Sequence, residues 1–153
     1  MPHSPAVPNQ SPADEKINTW YRDTERELYN YPRLKVRLAN LESYHADLYP
    51  SFTRPLNTIA VGQVGDHGDI TAGYVAHRLH LEEEIDRTRR RLARIETSLA
   101  ALSPEDRELA ELIYIRQHHW GAICRQLHIS RSTYYEKKRS LVTKLAFMLG
   151  FLK

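Results

Sequence analysis

Leu81, Ile85, Thr88, Leu92, Ile95, Leu99 and Leu102 follow one another at alternating intervals of four and three residues. That spacing is a heptad seam, one stripe along an α-helix with a single polar position, Thr88. The helix it predicts runs from Tyr74 to Leu102. Its outer faces carry "EEEIDRTRRR", in which Glu83–Arg87 and Asp86–Arg90 lie four apart with the acid first. Each such pair stabilises a helix by only ~0.2–0.5 kcal/mol. The arginine run therefore reads as a solvated, ion-paired face rather than as a nucleic-acid patch.

A second helical pattern precedes it. From Asp14 to Leu48 the apolar positions are Ile17, Tyr21, Leu28, Tyr31, Leu34, Leu38, Leu41 and Leu48. Pro32 falls inside this run and predicts a kink or a short break. Ahead of it, residues 1–13 hold four of the eight prolines and few apolar residues, the composition of a disordered arm. Residues 50–73 hold two prolines and four of the six glycines, which predicts a long, mobile loop. Its "GQVGDHG" lacks the Lys-Ser/Thr that closes a phosphate-binding loop. Residues 14–102 thus form either an antiparallel helical hairpin or a coiled-coil stalk. In the stalk, Leu81, Ile85, Leu92, Ile95 and Leu99 serve oligomerisation, with a homodimer as the expected state. Both arrangements bury the same stripe, so periodicity leaves the choice open.

Residues 103–153 have a different character. "LSPEDRELAELIYIRQ" opens with Ser103 as N-cap, Pro104 at the first helical position and Asp106 three after the cap. Leu109, Leu112 and Ile113 make its apolar face. A short helix follows from Trp120 to Leu127, then a turn through His128 and Ile129, then a helix from Arg131 capped by Ser130. That is helix-turn-helix spacing. On a helical wheel Tyr134, Leu141, Leu145 and Met148 share the core side. Ser132, Glu136, Arg139 and Thr143 lie opposite, Tyr135 lies at the flank, and Lys138 sits close enough to the core stripe to snorkel. Arginine can bond guanine O6 and N7 in pairs, and glutamate can accept from cytosine N4. Ser130, Arg131, Ser132, Thr133, Tyr135, Glu136, Lys138 and Arg139 are therefore the candidate DNA-binding residues. Among them Arg131, Thr133, Tyr135 and Lys138 are placed for phosphates and sugars. Phe147, Phe151 and Leu152 fall outside the stripe and either close the small domain from below or contact a partner.

Charge supports this division. From Arg116 to Lys153 the chain carries eight Lys or Arg and one acid, Glu136, a net +7. The rest, with 14 basic and 18 acidic residues, carries −4. A basic third on an acidic body is the layout of a nucleic-acid-binding module.

The segment "LSPEDRELAELIYIRQHHWGAICRQLHISRSTYYEKKRSLVTKLAFMLG" resembles the sigma-70 region-4-like helix-turn-helix. It is similar above all to phage late-gene transcription regulators of the RinA/ArpU type, and "ELYNYPRLKVRLANLE" resembles their N-terminal half. His128 stands where the turn often has glycine, and Cys124 where the second helix often has alanine. The resemblance implies a DNA-binding activator of phage late or packaging genes, acting on a promoter in a bacterial host cell.

Other chemistry finds little footing. The single cysteine, Cys124, permits no internal disulfide. "HH" at 118–119 and "HRLH" at 77–80 lack a recurring zinc spacing. No nucleophile stands beside a base, so neither an enzyme nor a cofactor is expected. No apolar run approaches the ~18 residues of a membrane span, and the first residues lack a signal-peptide pattern. The expectation is an all-α cytoplasmic protein whose partners are double-stranded DNA, a second copy of itself and host RNA polymerase. The competing readings are a terminase-small-subunit-like packaging protein, which usually places its DNA-binding domain first, and a coiled-coil adaptor that binds no DNA.

Overall fold

In the computed structural model, backbone is described for residues 12–49 and 68–152, and side chains for residues 19–49 and 72–152. The fold is all-α, as expected, with no strand among the described residues. Helix α1 spans Pro12–Leu48, α2 Gly68–Ala100, α3 Pro104–Ala110, α4 Trp120–Leu127 and α5 Arg131–Leu149. Helix α3 passes directly into a π-helical turn at Glu111–Ile115.

Two expectations for the long helices are resolved. Of the kink or break expected at Pro32, the break does not occur: helix α1 continues through it. A proline there removes one backbone donor, which a long helix with flanking turns on both sides can absorb. Helix α2 begins at Gly68, six residues before Tyr74, so the last part of the expected loop is helical. Glycine disfavours a helix by only about 1 kcal/mol relative to alanine, and extension of an existing helix overrides that. The remainder of the expected loop, 50–67, and residues 1–11 of the expected arm lie outside the described residues.

The chain divides into two compact units: Pro32–Ala93, and Met1–Tyr31 together with Arg94–Lys153. This division does not coincide with the one expected at 102/103. In the first unit the two long helices run antiparallel: His45 meets Glu82 at 3.1 Å, and one turn on, Tyr49 meets His77 at 2.6 Å. Tyr49, Leu81 and Ile85 form its core with Leu38 and Leu41 against them. Leu48, expected in the stripe, is exposed, and Tyr49 takes its place.

The heptad seam is closed within one chain. Leu81, Ile85, Leu92 and Ile95 are buried and Leu99 is half-buried. The residues expected to serve oligomerisation are thus covered by the chain's own side chains. The polar position Thr88 is buried too, and its hydroxyl donates to the Glu84 carbonyl at 2.9 Å. A threonine satisfied by its own helix can occupy a seam without an orphaned donor.

The second unit is more deeply packed. Leu28, Ile95, Tyr114, Ile123, Leu141 and Leu145 are essentially removed from solvent. Ser103 caps α3 as expected, accepting from the Asp106 amide at 3.2 Å. Arg107 donates to the carbonyls of Ala100 at 2.5 Å and Leu99 at 3.3 Å, satisfying the end of α2. In the π-helical turn the Arg116 amide reaches back five residues to the Glu111 carbonyl. The wider turn rotates Tyr114 onto the buried face, where a regular α-helix would leave it off the Leu109–Leu112–Ile113 stripe. Met148 was expected in the core of α5 and is exposed; Val142, Ala146 and Leu149 fill that side. Towards the end of α2, Arg94 donates to the Leu149 carbonyl at 2.5 Å.

Candidate nucleic-acid interface

Helix α4, a turn at 128–130 and helix α5 stand in helix-turn-helix order. The turn is made by His128 in the left-handed conformation, φ 53° and ψ 42°, where its amide bonds the Cys124 carbonyl. A non-glycine residue there costs roughly 1–2 kcal/mol. Its departure from glycine is therefore accommodated but strained. Ile129 donates back to Cys124 as well, at 3.1 Å. His119 caps α4: its Nδ1 accepts from the Gly121 amide at 3.2 Å. Ser130 caps α5 by accepting from the Thr133 amide at 3.2 Å. The hydroxyls of Ser132 and Thr133 gather on Ser130 Oγ at 3.0 and 2.8 Å.

The two tyrosines separate as expected. Tyr134 is buried, and burial holds its hydroxyl above the usual phenol range. Tyr135 is 46% exposed and stands edge-on to Tyr134, their centroids 5.1 Å apart. Ser132, Glu136 and Arg139 are all exposed. Thr143 is spoken for, its hydroxyl donating to the Arg139 carbonyl at 2.9 Å.

Lys138 departs from its expected place beside a phosphate. It is half-buried, and its ammonium pairs with Glu25 on α1 at 2.8 Å, their side chains 18% and 21% exposed. Burial works against its charge, but the hydrogen bond and charge of Glu25 outweigh this, so its pKa is raised. The same carboxylate accepts from the Tyr114 hydroxyl at 3.4 Å. Burial first, then Glu25, drives the Tyr114 pKa far upward. Tyr29 completes the group, edge-on to Tyr114 at 4.9 Å.

The positive charge of the C-terminal third is thus partly spent inside the unit. Lys144 pairs with Asp106 at 2.6 Å, Lys137 with Glu105 at 3.6 Å and Arg116 with Glu111 at 2.8 Å. Among the described residues Arg125, Arg131 and Arg139 make no ion pair. The +7 tally overstated the cationic surface, because acids on α1 and α3 fold back onto it. Arg131 instead lies over two rings, its guanidinium carbon 4.9 Å from the Trp120 centroid and 5.7 Å from that of Tyr135. Sequence reasoning left Trp120 out of the site. Nothing in the spacing from Trp120 to Arg131 pairs them, and only the turn brings them together.

The described residues contain no group of three side chains suited to a metal ion, and no described helix is long and apolar enough to cross a membrane. Residues 55–146 match a family described as a protein of unknown function, DUF1492. The match covers most of α2 through α5 and leaves α1 outside it. No curated protein matches the chain, and no solved structure does.

Proposed function

We propose that this chain, which belongs to the DUF1492 family, is a sequence-specific DNA-binding transcription regulator. The observation that supports this reading best is the division of α5 into two faces. Tyr134, Leu141 and Leu145 fasten it to the domain, while Ser132, Glu136 and Arg139 are exposed to solvent beyond a capped three-residue turn. A helix presented in this way fits the major groove. In that pose Arg139 bonds guanine, Glu136 accepts from cytosine, and Ser132 reaches an adjacent edge. Arg131 and Arg125 serve the backbone, and Lys138 belongs to the internal pair with Glu25. The role as an activator of phage late or packaging genes, with contact to host RNA polymerase, rests on the resemblance to the RinA/ArpU type. Two copies on repeated half-sites belong to the same reading, with a contact surface other than the seam.

Selection of bound fragments from genomic DNA tests the reading and yields the site. A recurrent sequence is expected. Arg139→Ala should then relax the preference at one base pair by ~1–3 kcal/mol. Equal loss on every sequence would show that Arg139 contacts only the backbone.

A further inference from the structure

We propose that Arg131 is a phosphate anchor whose guanidinium is held in position by Trp120 and Tyr135, two positioning residues that act on DNA through it. The inference rests on the DNA-binding reading above and names what fixes the frame in which α5 meets the duplex.

Arg131 is the first residue of α5, and Trp120 is the first residue of α4. The clamp therefore ties together the starts of both helices of the motif. Its walls are themselves supported. Tyr135 rests edge-on against buried Tyr134, and Trp120 lies against the ring of His119, their centroids 5.3 Å apart, which also caps α4. Four other basic residues of the domain, Arg116, Lys137, Lys138 and Lys144, are each paired with a carboxylate, whereas Arg125 and Arg139 are not, among the described residues. Arg131 is held by rings instead. An aromatic face attracts a guanidinium without neutralising its charge. The Arg131 guanidinium makes no hydrogen bond or ion pair among the described residues, so its N–H donors remain available to a two-oxygen anion. The side chain is thereby pre-ordered for an anion while keeping its full charge.

Position decides which part of the duplex it meets. Arg131 and Tyr135 lie one turn apart on the flank of α5, off the face that carries Ser132, Glu136 and Arg139. Contacts from a flank go to phosphates, which set register and orientation, whereas base edges are read from the centre of the face.

The test is the salt dependence of affinity of the full chain for a DNA duplex of mixed sequence. Arg131→Ala should lower affinity by the same factor on every sequence and reduce the slope of log affinity against log salt by about 0.9, one phosphate contact. Trp120→Leu should reproduce that loss of slope although the indole touches no phosphate. The Trp120→Leu/Arg131→Ala double variant should bind no more weakly than Arg131→Ala alone, and Trp120→Phe, which keeps a ring, should recover the slope. Helicity and cooperative melting establish folding, and Tyr135→Leu supplies the same test should Trp120→Leu fail to fold. Wild-type slope in both ring variants overturns the anchor, as does a double variant whose losses add, since Trp120 then contacts DNA on its own account. Failure of the wild-type chain to retard the duplex at low salt is a separate result and removes the DNA-binding reading itself.

Discussion

The unit at Pro32–Ala93 and the unit that combines the residues up to Tyr31 with those from Arg94 draw on the same two long helices, yet they are held by different means. In the first, two helices meet along one stripe, and the buried residues Tyr49, Leu81 and Ile85 still keep 5–7% of their surface. Its polar links are mostly exposed: Arg37 with Glu84, Arg89 with Glu42, and Arg78 with Glu82. In the second, α3 to α5 add further layers, and Leu28, Ile95, Ile123, Leu141 and Leu145 fall to 0–1%. A carboxylate, an ammonium and a phenol share one partly buried cluster there. A lone helix pair can hide one stripe per helix, whereas a bundle hides more than one side and so fixes a helix such as α5 more firmly.

The largest expected effect follows from that contrast. Leu145→Ala in the bundle should cost ~2–5 kcal/mol, because its neighbours cannot collapse into the space. Ile85→Ala in the helix pair should cost about 2 kcal/mol, near the lower end of that range, since the pair can close over the gap and water lies nearby. Urea unfolding of the full chain gives both values, and amide exchange assigns each to its unit. Equal costs would break the comparison.

Much of this arrangement was legible in the sequence because it is local. The caps at Ser103 and Ser130, the bounds of α4, and the separation of Tyr134 from Tyr135 all follow from spacing within one or two turns. What escaped depends on residues distant in the chain. Glu25 lies more than a hundred positions from Lys138, so the lysine read as a snorkelling phosphate contact, whereas its ammonium is paired with Glu25. Tyr114 escaped because a π-helical turn breaks the period on which a wheel depends. The seam's partner could not be chosen because one stripe serves equally well within or between chains. On α5 the burial of Tyr134 and the exposure of Ser132, Tyr135, Glu136 and Arg139 follow from a wheel, but the pairing of Trp120 with Arg131 is a property of the turn.

The Glu25–Lys138 pair sharpens the comparison at the next level. Glu25→Ala strands a mostly buried ammonium and removes the acceptor of Tyr114, and should cost about 1–3 kcal/mol. Adding Lys138→Met should recover much of that, because an apolar side chain of similar length leaves no charge behind. The pH dependence has a definite sign. Lys138 has a folded pKa raised above its ordinary 10.5, so the pair's stabilisation is fully present below that value and is lost as pH rises through the folded pKa. The penalty of Glu25→Ala should therefore shrink in alkaline solution, as measured by urea midpoints across that range. A penalty constant with pH would mean that Glu25 acts by packing and not through the charge of Lys138.

The smallest effect belongs to the exposed ion pairs of the helix pair. Arg89 reaches Glu42 at 2.7 Å and Asp86 at 3.2 Å, but the arginine side chain is 58% exposed and the acids 44% and 61%. Water screens such charges, and holding long side chains in one geometry costs conformational entropy. Glu42→Gln should therefore change the unfolding free energy by no more than ~0–1 kcal/mol, with the difference fading as salt is raised. Arg89 keeps Asp86 as a partner in that variant, which reduces the change further. Thermal melts at low and high salt measure it. A loss well above that range, persisting in high salt, would mean that the helix pair is held by its charges and that its apolar stripe is the lesser element.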